Sequence, residues 1–527
     1  MRFGSVSTPA DALAANSPSA PAPATAAIET TARQIRGSTL LLIGRILALG
    51  IAFLVQVLLV RYLSKDSYGS FAYVLSLVIF AQTILTFGLD RAVTRFIPIY
   101  EERGAYEYVL GTLAVVLATF SAITLAAFLI VYGFHDSLAH WLSISGLAKS
   151  LLPILVILAP LQAVDDLLTG LFSVYSRPRA IFFRRYLVAP GLRLVVVVLL
   201  VLAQTGPYFL SVGYVLAGAV GTAVYAWMLL RTLRRLAVWQ RLSLRPRFPV
   251  RELFAFTIPL LSTDLLYATI GLTDVVLLAH YRDSAAVGAL RAVQPVAALN
   301  QVAFSSFLIL FTPVIARHFA RDDKDAIQDV YWQTARWIAI ATLPVFLVTL
   351  VLARPVTVAF FGERYAGSAS VLAVLSLGYY IQVAFGFNGT TLMVFGRLRY
   401  IVSLNAAGVV VNVLLNLFLV PRYGAVGAAA GTTGTLVAHN LLKQLGLWRG
   451  AGIGFAVAGT ARFYTSIVVA VAASFYAVRV IPTEPAQFAV VAVAALAVLR
   501  VNRRALRIAQ TFPELIRIPG ARYLLGD

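Results

Sequence analysis

Asp264 and Asp274 stand inside LFAFTIPLLSTDLLYATIGLTDVVLLAH (residues 253–280), a stretch otherwise apolar enough to cross a bilayer. A carboxylate at that depth is costly and faces a cavity or a partner, so both are candidates for ion coupling. Asp264 lies about 17 Å into its helix at ~1.5 Å per residue, too deep for a short side chain to reach the surface. At about 100° per residue, Tyr267, Gly271 and Asp274 fall within about 80° of it, so one face carries both carboxylates and a phenol. The same reading picks out Arg45 with Gln56 on the first apolar run, and Arg291, Gln294 and Gln301 on one face of run 285–314. A cation flanked by amides suits phosphate or sugar hydroxyls, so these five residues and Tyr267 are expected to line a substrate cavity. The competing reading for Arg45 and Arg291 is snorkelling to the nearer membrane surface. Asp165 and Asp166 are adjacent within a span, where mutual repulsion favours a proton on one of them, and they are the other ion-coupling candidates. Being about 100° apart, only one of the pair is expected to face a cavity. Asn405, Asn412 and Asn416 share one helical face and read as a structural stripe bonding to neighbouring helices.

The elements that position these residues must be membrane helices. The chain has 527 residues, 60% hydrophobic and 12% charged, with mean hydropathy +0.85. A soluble domain carries about 25% charged residues, so lipid must be the solvent here and the expected fold is an all-α integral membrane protein. A crossing helix needs about 20 mostly apolar residues. Fourteen such runs are expected, at 39–60, 70–90, 108–133, 151–175, 187–203, 208–230, 253–279, 285–314, 336–353, 369–394, 401–419, 425–446, 463–480 and 486–500. The absence of cysteine removes disulfides, thiolate metal sites and thiol nucleophiles, and the five histidines have no ligand spacing. No phosphate-binding loop of the GxxxxGK[ST] type occurs. Neither a cofactor nor a metal centre nor an enzyme activity is expected.

Lys and Arg total 43 against 22 Asp and Glu, a net charge of +21. They concentrate in alternate loops, which by the positive-inside rule places both termini in the cytoplasm of a multi-pass cytoplasmic (inner) membrane protein. Topology thus accounts for the basic charge, and nucleic-acid binding is not expected. The expected organisation is a disordered tail (1–37), a six-helix bundle (38–230), a basic linker (231–252), a second six-helix bundle (253–447), two extra spans (448–500) and a basic tail (501–527). The bundles read as parallel repeats. LLVRYLSKDSYG (58–69) lies over LLAHYRDSAAVG (277–288), aligning Tyr62 with Tyr281 and Gly69 with Gly288 at an offset of 219. That offset also lays Arg45 over Asp264, which predicts opposite charges across a pseudo-two-fold interface.

GSTLLLIGRILALGIAFLVQVLLVRYLSKDSYGSFAYVLSL (37–77), LTFGLDRAVTRFI (85–97), FFGERYAGSASVLAVLS (360–376) and NVLLNLFLVPRYGAVGAAAGT (412–432) together carry a family resemblance. Over about residues 37–450 the chain resembles the polysaccharide-biosynthesis flippases, the lipid-linked oligosaccharide exporters of the multidrug/oligosaccharidyl-lipid/polysaccharide superfamily. The resemblance implies two bundles around a largely cationic cavity. It also implies transfer of an undecaprenyl-diphosphate-linked glycan to the outer leaflet by alternating access, with H+ or Na+ as coupling ion. Exopolysaccharide or O-antigen assembly, with a polysaccharide polymerase or chain-length partner, would be the context. Asp264 and Asp274 depart from a simply cationic cavity. The alternatives are another transporter of the superfamily, a lipid II flippase or drug/cation antiporter, and, further off, a glycan polymerase or ligase.

Overall fold

The computed structural model describes residues 24–142, 144, 146–175, 181–235, 245–454 and 459–507, and the described residues contain helices and no strand. The first half holds α1 (Ala24–Tyr62), α2 (Lys65–Thr86), α3 (Leu89–Glu102), α4 (Tyr106–Gly133), α5 (His135–Trp141), α6 (Gly146–Leu155) and α7 (Leu158–Val174). It continues through a π-helical turn (Phe182–Val188) into α8 (Ala189–Leu202) and α9 (Pro207–Arg235). The second half holds α10 (Val250–Tyr281), α11 (Ser284–Ala297), α12 (Asn300–Ala320), α13 (Lys324–Val351), α14 (Ala353–Phe361), α15 (Ala369–Ala384), α16 (Asn388–Val394) and α17 (Leu398–Ala451). Helices α18 (Thr460–Val480), α19 (Glu484–Val501) and α20 (Arg503–Leu506) follow. The stretch 1–37 read as a tail lies outside the described residues up to 23, and α1 already begins at Ala24. The expected tail 501–527 lies outside them from 508 onward.

Among the described residues eleven helical segments are long and apolar enough to cross a membrane, or twelve if α6 and α7, bent by 41°, form one span. Every one of the fourteen expected runs falls on a helix, yet fourteen is not reached on that criterion. Run 285–314 is divided between α11 and α12, and runs 401–419 and 425–446 share the single element α17. A straight helix of 54 residues would be about 81 Å long. It cannot lie straight across a hydrocarbon layer of about 30 Å. Instead it folds back at Gly424, whose φ of 57° and ψ of −130° suit only a residue without Cβ. Contacts across the hairpin run antiparallel: Tyr400 Oη donates to the Leu442 carbonyl (2.6 Å) and Asn412 Nδ2 to Thr435 Oγ1 (3.3 Å). At the tip, a Cβ on Gly427 would lie 2.2 Å from the Leu419 carbonyl oxygen.

The α17 hairpin packs on α10, and α2 packs on α11 and α10, so α2 is the main element of the first half that meets the second. Helix α2 starts at Ser64, whose Oγ accepts from the Ser67 amide (3.1 Å). It ends where Phe87 and Gly88 adopt left-handed φ of 49° and 67°, which breaks α2 from α3. Helices α18 and α19 pack on α13, outside the two bundles. The membrane faces of the molecule are named below by Tyr62, where α1 ends, and by Glu252, where α10 begins.

Candidate functional site

Near the Tyr62 face the two halves meet backbone to backbone. A Cβ on Gly69 would lie 1.7 Å from the Ser284 carbonyl oxygen, and one on Gly288 would lie 2.5 Å from that of Lys65. The offset of 219 carries one contact onto the other, Gly69 onto Gly288 and Lys65 onto Ser284, so the seam is reciprocal, as a two-fold axis between the glycines requires. Around it, Gln56 Nε2 donates to Tyr68 Oη (2.7 Å) and to the carbonyls of Arg291 and Ala292 (3.2 Å each). Arg61 donates to the carbonyls of Ala359 (2.6 Å) and Phe360 (2.8 Å), and Arg364 returns a bond to the Val60 carbonyl. The Arg291 guanidinium does not snorkel. It donates to Gln294 Oε1 (2.6 Å), to Ser76 Oγ of α2 (2.7 Å) and to the Gly271 carbonyl of α10 (3.0 Å). It therefore stitches the halves together within the membrane.

From the seam toward the Glu252 face, three adjoining cavities of about 580, 620 and 580 Å³ lie in and between the bundles. Arg45, Gln56, Asp165, Arg184 and Arg193 are in the wall of the first. Asp90, Arg91, Asp264 and Tyr267 are in the wall of the second, and Arg185, Asp166 and Gln82 belong to both. The third takes Arg45 again, with Tyr267, Gln294 and Gln301. There Gln301 Nε2 donates to Gln382 Oε1 (3.0 Å), Gln382 Nε2 to Tyr267 Oη (3.0 Å), and Gln294 Nε2 to Tyr379 Oη (3.1 Å). All six substrate-cavity candidates thus lie on the cavities or on the seam closing them.

Several expectations about the carboxylates are corrected. Asp165 and Asp166 both line the first cavity, because it wraps around α7 over more than the angle between them. Asp165 is paired with the buried Arg184 (2.6 Å), while Asp166 accepts from Gln82 Nε2 (2.8 Å). Asp264 does not stand against Arg45. Its partner is Arg91 on α3, at 3.0 Å, and this pair bridges the halves in the second cavity. Asp274 does not share the cavity with Asp264, since a separation of about 80° on α10 turns it into the α17 hairpin. It is 2% exposed and accepts from Thr432 Oγ1 (2.5 Å) and Asn416 Nδ2 (3.0 Å).

Asn405, Asn412 and Asn416 are buried between α10 and the two arms of α17. Asn405 Nδ2 donates to Ser262 Oγ (3.1 Å) and Thr263 Oγ1 (2.9 Å), and its Oδ1 meets His439 Nε2 (3.0 Å). Asn416 turns its Nδ2 to Asp274, and the Oδ1 atoms of Asn412 and Asn416 are buried with no hydrogen-bond partner among the described residues. Two such orphaned acceptors are unusual in a satisfied interior, and with the carboxylate they are ligands of the kind a hard cation takes.

Sequence reasoning missed Arg91, Arg184, Arg185 and Arg193, which it sorted with cytoplasmic loops. The signal was FFRRYLV (182–188), which forms a π-helix; such turns recur at functional sites. Arg184 is held by the Gly221 carbonyl (2.7 Å to Nε), where a Cβ would come within 2.6 Å of its Nη2.

Residues 35–319 match the family model described as polysaccharide biosynthesis protein. The chain belongs to this family. A second model, MatE, matches residues 259–418. An uncharacterised membrane protein of Methanocaldococcus jannaschii is 24% identical over 419 residues, 76% of this chain and 81% of that protein. Among solved structures, the lipid II flippase MurJ in an inward closed conformation superposes with a TM-score of 0.68 at 14% identity, covering 90% of this chain and all of that one. An inward-facing multidrug resistance MATE family transporter of the MOP superfamily gives 0.64 at 15% identity, covering 77% and 95%. The fold is therefore the one these transporters share, in a multi-pass membrane protein.

Proposed function

We propose that this polysaccharide biosynthesis protein moves an undecaprenyl-diphosphate-linked oligosaccharide from the inner to the outer leaflet of the cytoplasmic membrane by alternating access, for surface polysaccharide assembly. The observation that carries the reading is the first cavity. Arg45, Arg185 and Arg193 line it and make no ion pair among the described residues. Guanidiniums match the paired oxygens of a diphosphate, while the prenyl tail stays in lipid. The basic-loop pattern puts the Glu252 face inside and the sealed Tyr62 face outside, so the cavities lie on the loading side of that seam. The glycan would then pass to a polymerase or chain-length partner outside.

Ion coupling is assigned to Asp274. With the amides of Asn412 and Asn416 turned about, their Oδ1 atoms, the Asp274 carboxylate and Thr432 Oγ1 offer an oxygen set suited to Na+; a proton on Asp274 is the other form of coupling. The site lies within the helices that carry Gly271, whose carbonyl holds Arg291 at the bundle interface. Occupancy there can bias the seam.

Depletion of the chain is the test. Lipid-linked repeat units should accumulate in the inner leaflet, and normal surface glycan in a strain with no second flippase would contradict the reading. A drug/cation antiporter is the second reading, favoured by the carboxylates of the second cavity and the MatE match. Ethidium efflux by the chain would support it.

A further inference from the structure

We infer that the second cavity is the glycan subsite, and that it accepts neutral or amino sugars while rejecting sugars that carry carboxylate or phosphate groups. The inference rests on the flippase reading and adds a substrate class to it.

Among the described residues, five aliphatic hydroxyls line that cavity, on Thr83, Thr86, Thr94, Thr169 and Ser173, besides the Tyr267 phenol. Each of the five donates its proton to a carbonyl of its own helix: Ile79 (2.9 Å), Gln82 (2.9 Å), Arg91 (2.9 Å), Asp165 (2.8 Å) and Gly170 (2.7 Å) respectively. A hydroxyl has one proton, so what these side chains still offer is lone pairs. Asp90, Asp166 and Asp264 add three carboxylates. The Gln82 amide donates to Asp166, and Arg91 is held by Asp264. Among the described residues, the remaining donors of the lining are Arg185 and the Tyr267 hydroxyl, whose oxygen accepts from Gln382.

The lining is thus rich in acceptors and poor in donors. Sugar hydroxyls and ammonium groups supply donors. A uronate or phosphate group supplies none and brings negative charge against carboxylates, a mismatch that discriminates by repulsion. The first cavity has the opposite character, with four arginines against two aspartates. Arg185, Asp166 and Gln82 belong to both, so a diphosphate held on the arginine side places the first sugars among the acceptors.

The test measures binding to the full chain in detergent with four short-chain polyprenyl diphosphates: bare, and bearing a neutral, an amino or a uronate disaccharide. The bare, neutral and amino lipids should bind, with the uronate lipid weaker by about tenfold, a modest effect for like-charge juxtaposition. Asp264→Asn and Asp90→Asn should each narrow that gap while the bare lipid still binds; Asp90→Asn keeps the Arg91–Asp264 contact and so serves if Asp264→Asn fails to fold. Equal affinity for neutral and uronate lipids in the unaltered chain overturns the inference and leaves the flippase reading standing. An undiminished gap in the folded variants also overturns it. No binding of the bare lipid overturns both.

Discussion

Adding one methyl group at Gly69 should unseal the Tyr62 face. The new Cβ would lie 1.7 Å from the Ser284 carbonyl oxygen, 2.6 Å from its carbon and 2.9 Å from the Gly288 nitrogen. None of these is a side chain that can rotate away. To reach ordinary contact at 3.4 Å the two helices must part by about 1.7 Å. Overpacking of this kind costs about 1–3 kcal/mol. The parting also stretches the two bonds from Gln56 to the Arg291 and Ala292 carbonyls, now 3.2 Å each, at about 1 kcal/mol per bond. A total of about 3–5 kcal/mol shifts the balance of sealed and open forms by roughly a hundredfold even at its lower end. The chain has no cysteine, so a single Ala72→Cys reporter, buried in α2 beneath the seam, can be labelled by an impermeant maleimide applied to the Tyr62 face. Gly69→Ala should raise its labelling rate by roughly that factor, and Gly288→Ala should act in the same direction. The two should not add, since they act on one seam. Gly50→Ala, with no atom of the described residues within 4 Å of its Cβ, is the control. An unchanged rate in folded Gly69→Ala would refute the reasoning.

Three further outcomes follow from other contacts. Arg184→Met strands Asp165 beside a buried position and should destabilise the chain by about 3 kcal/mol; Asp165→Leu added to it should recover much of the loss, read by thermal unfolding in detergent. Asp274→Asn should remove any dependence of transport on a Na+ or H+ gradient while leaving binding of the bare lipid diphosphate, and a retained gradient response would take Asp274 out of the coupling. Gly424→Ala has room for its methyl, since the nearest atom is 3.6 Å away, but forces a side chain into a glycine conformation. It should cost about 1–3 kcal/mol through strain alone, seen as a lower unfolding midpoint with unchanged lipid binding.

The helices were legible because apolar runs long enough to span a bilayer have few other readings. The alignment of Gly69 with Gly288 was read as repeat register alone, and that the two backbones meet emerges only from the fold. The ion pairs were not legible either. Helical angle alone cannot say which neighbour fills the space beside a side chain, so Asp264 was set against Arg45 when α3 brings Arg91 to it. The same limit put Asp274 with Asp264, where the α17 hairpin claims it. Arg184, Arg185 and Arg193 were absorbed by the positive-inside pattern, which explains basic residues without asking where they point. The Asn stripe was read as helix-bonding, and its two orphaned oxygens emerge only once both arms of α17 are in place.

The most direct measurement is transport of a defined undecaprenyl-diphosphate-linked neutral oligosaccharide across proteoliposomes containing the chain. Transport should require the chain, respond to an imposed Na+ or H+ gradient, and fall at least about tenfold, the scale of one lost charge-assisted contact, when Arg185 and Arg193 are both replaced by Ala. Undiminished transport by that variant, or none by the unaltered chain, would contradict the assignment of the arginine-lined cavity to the lipid diphosphate.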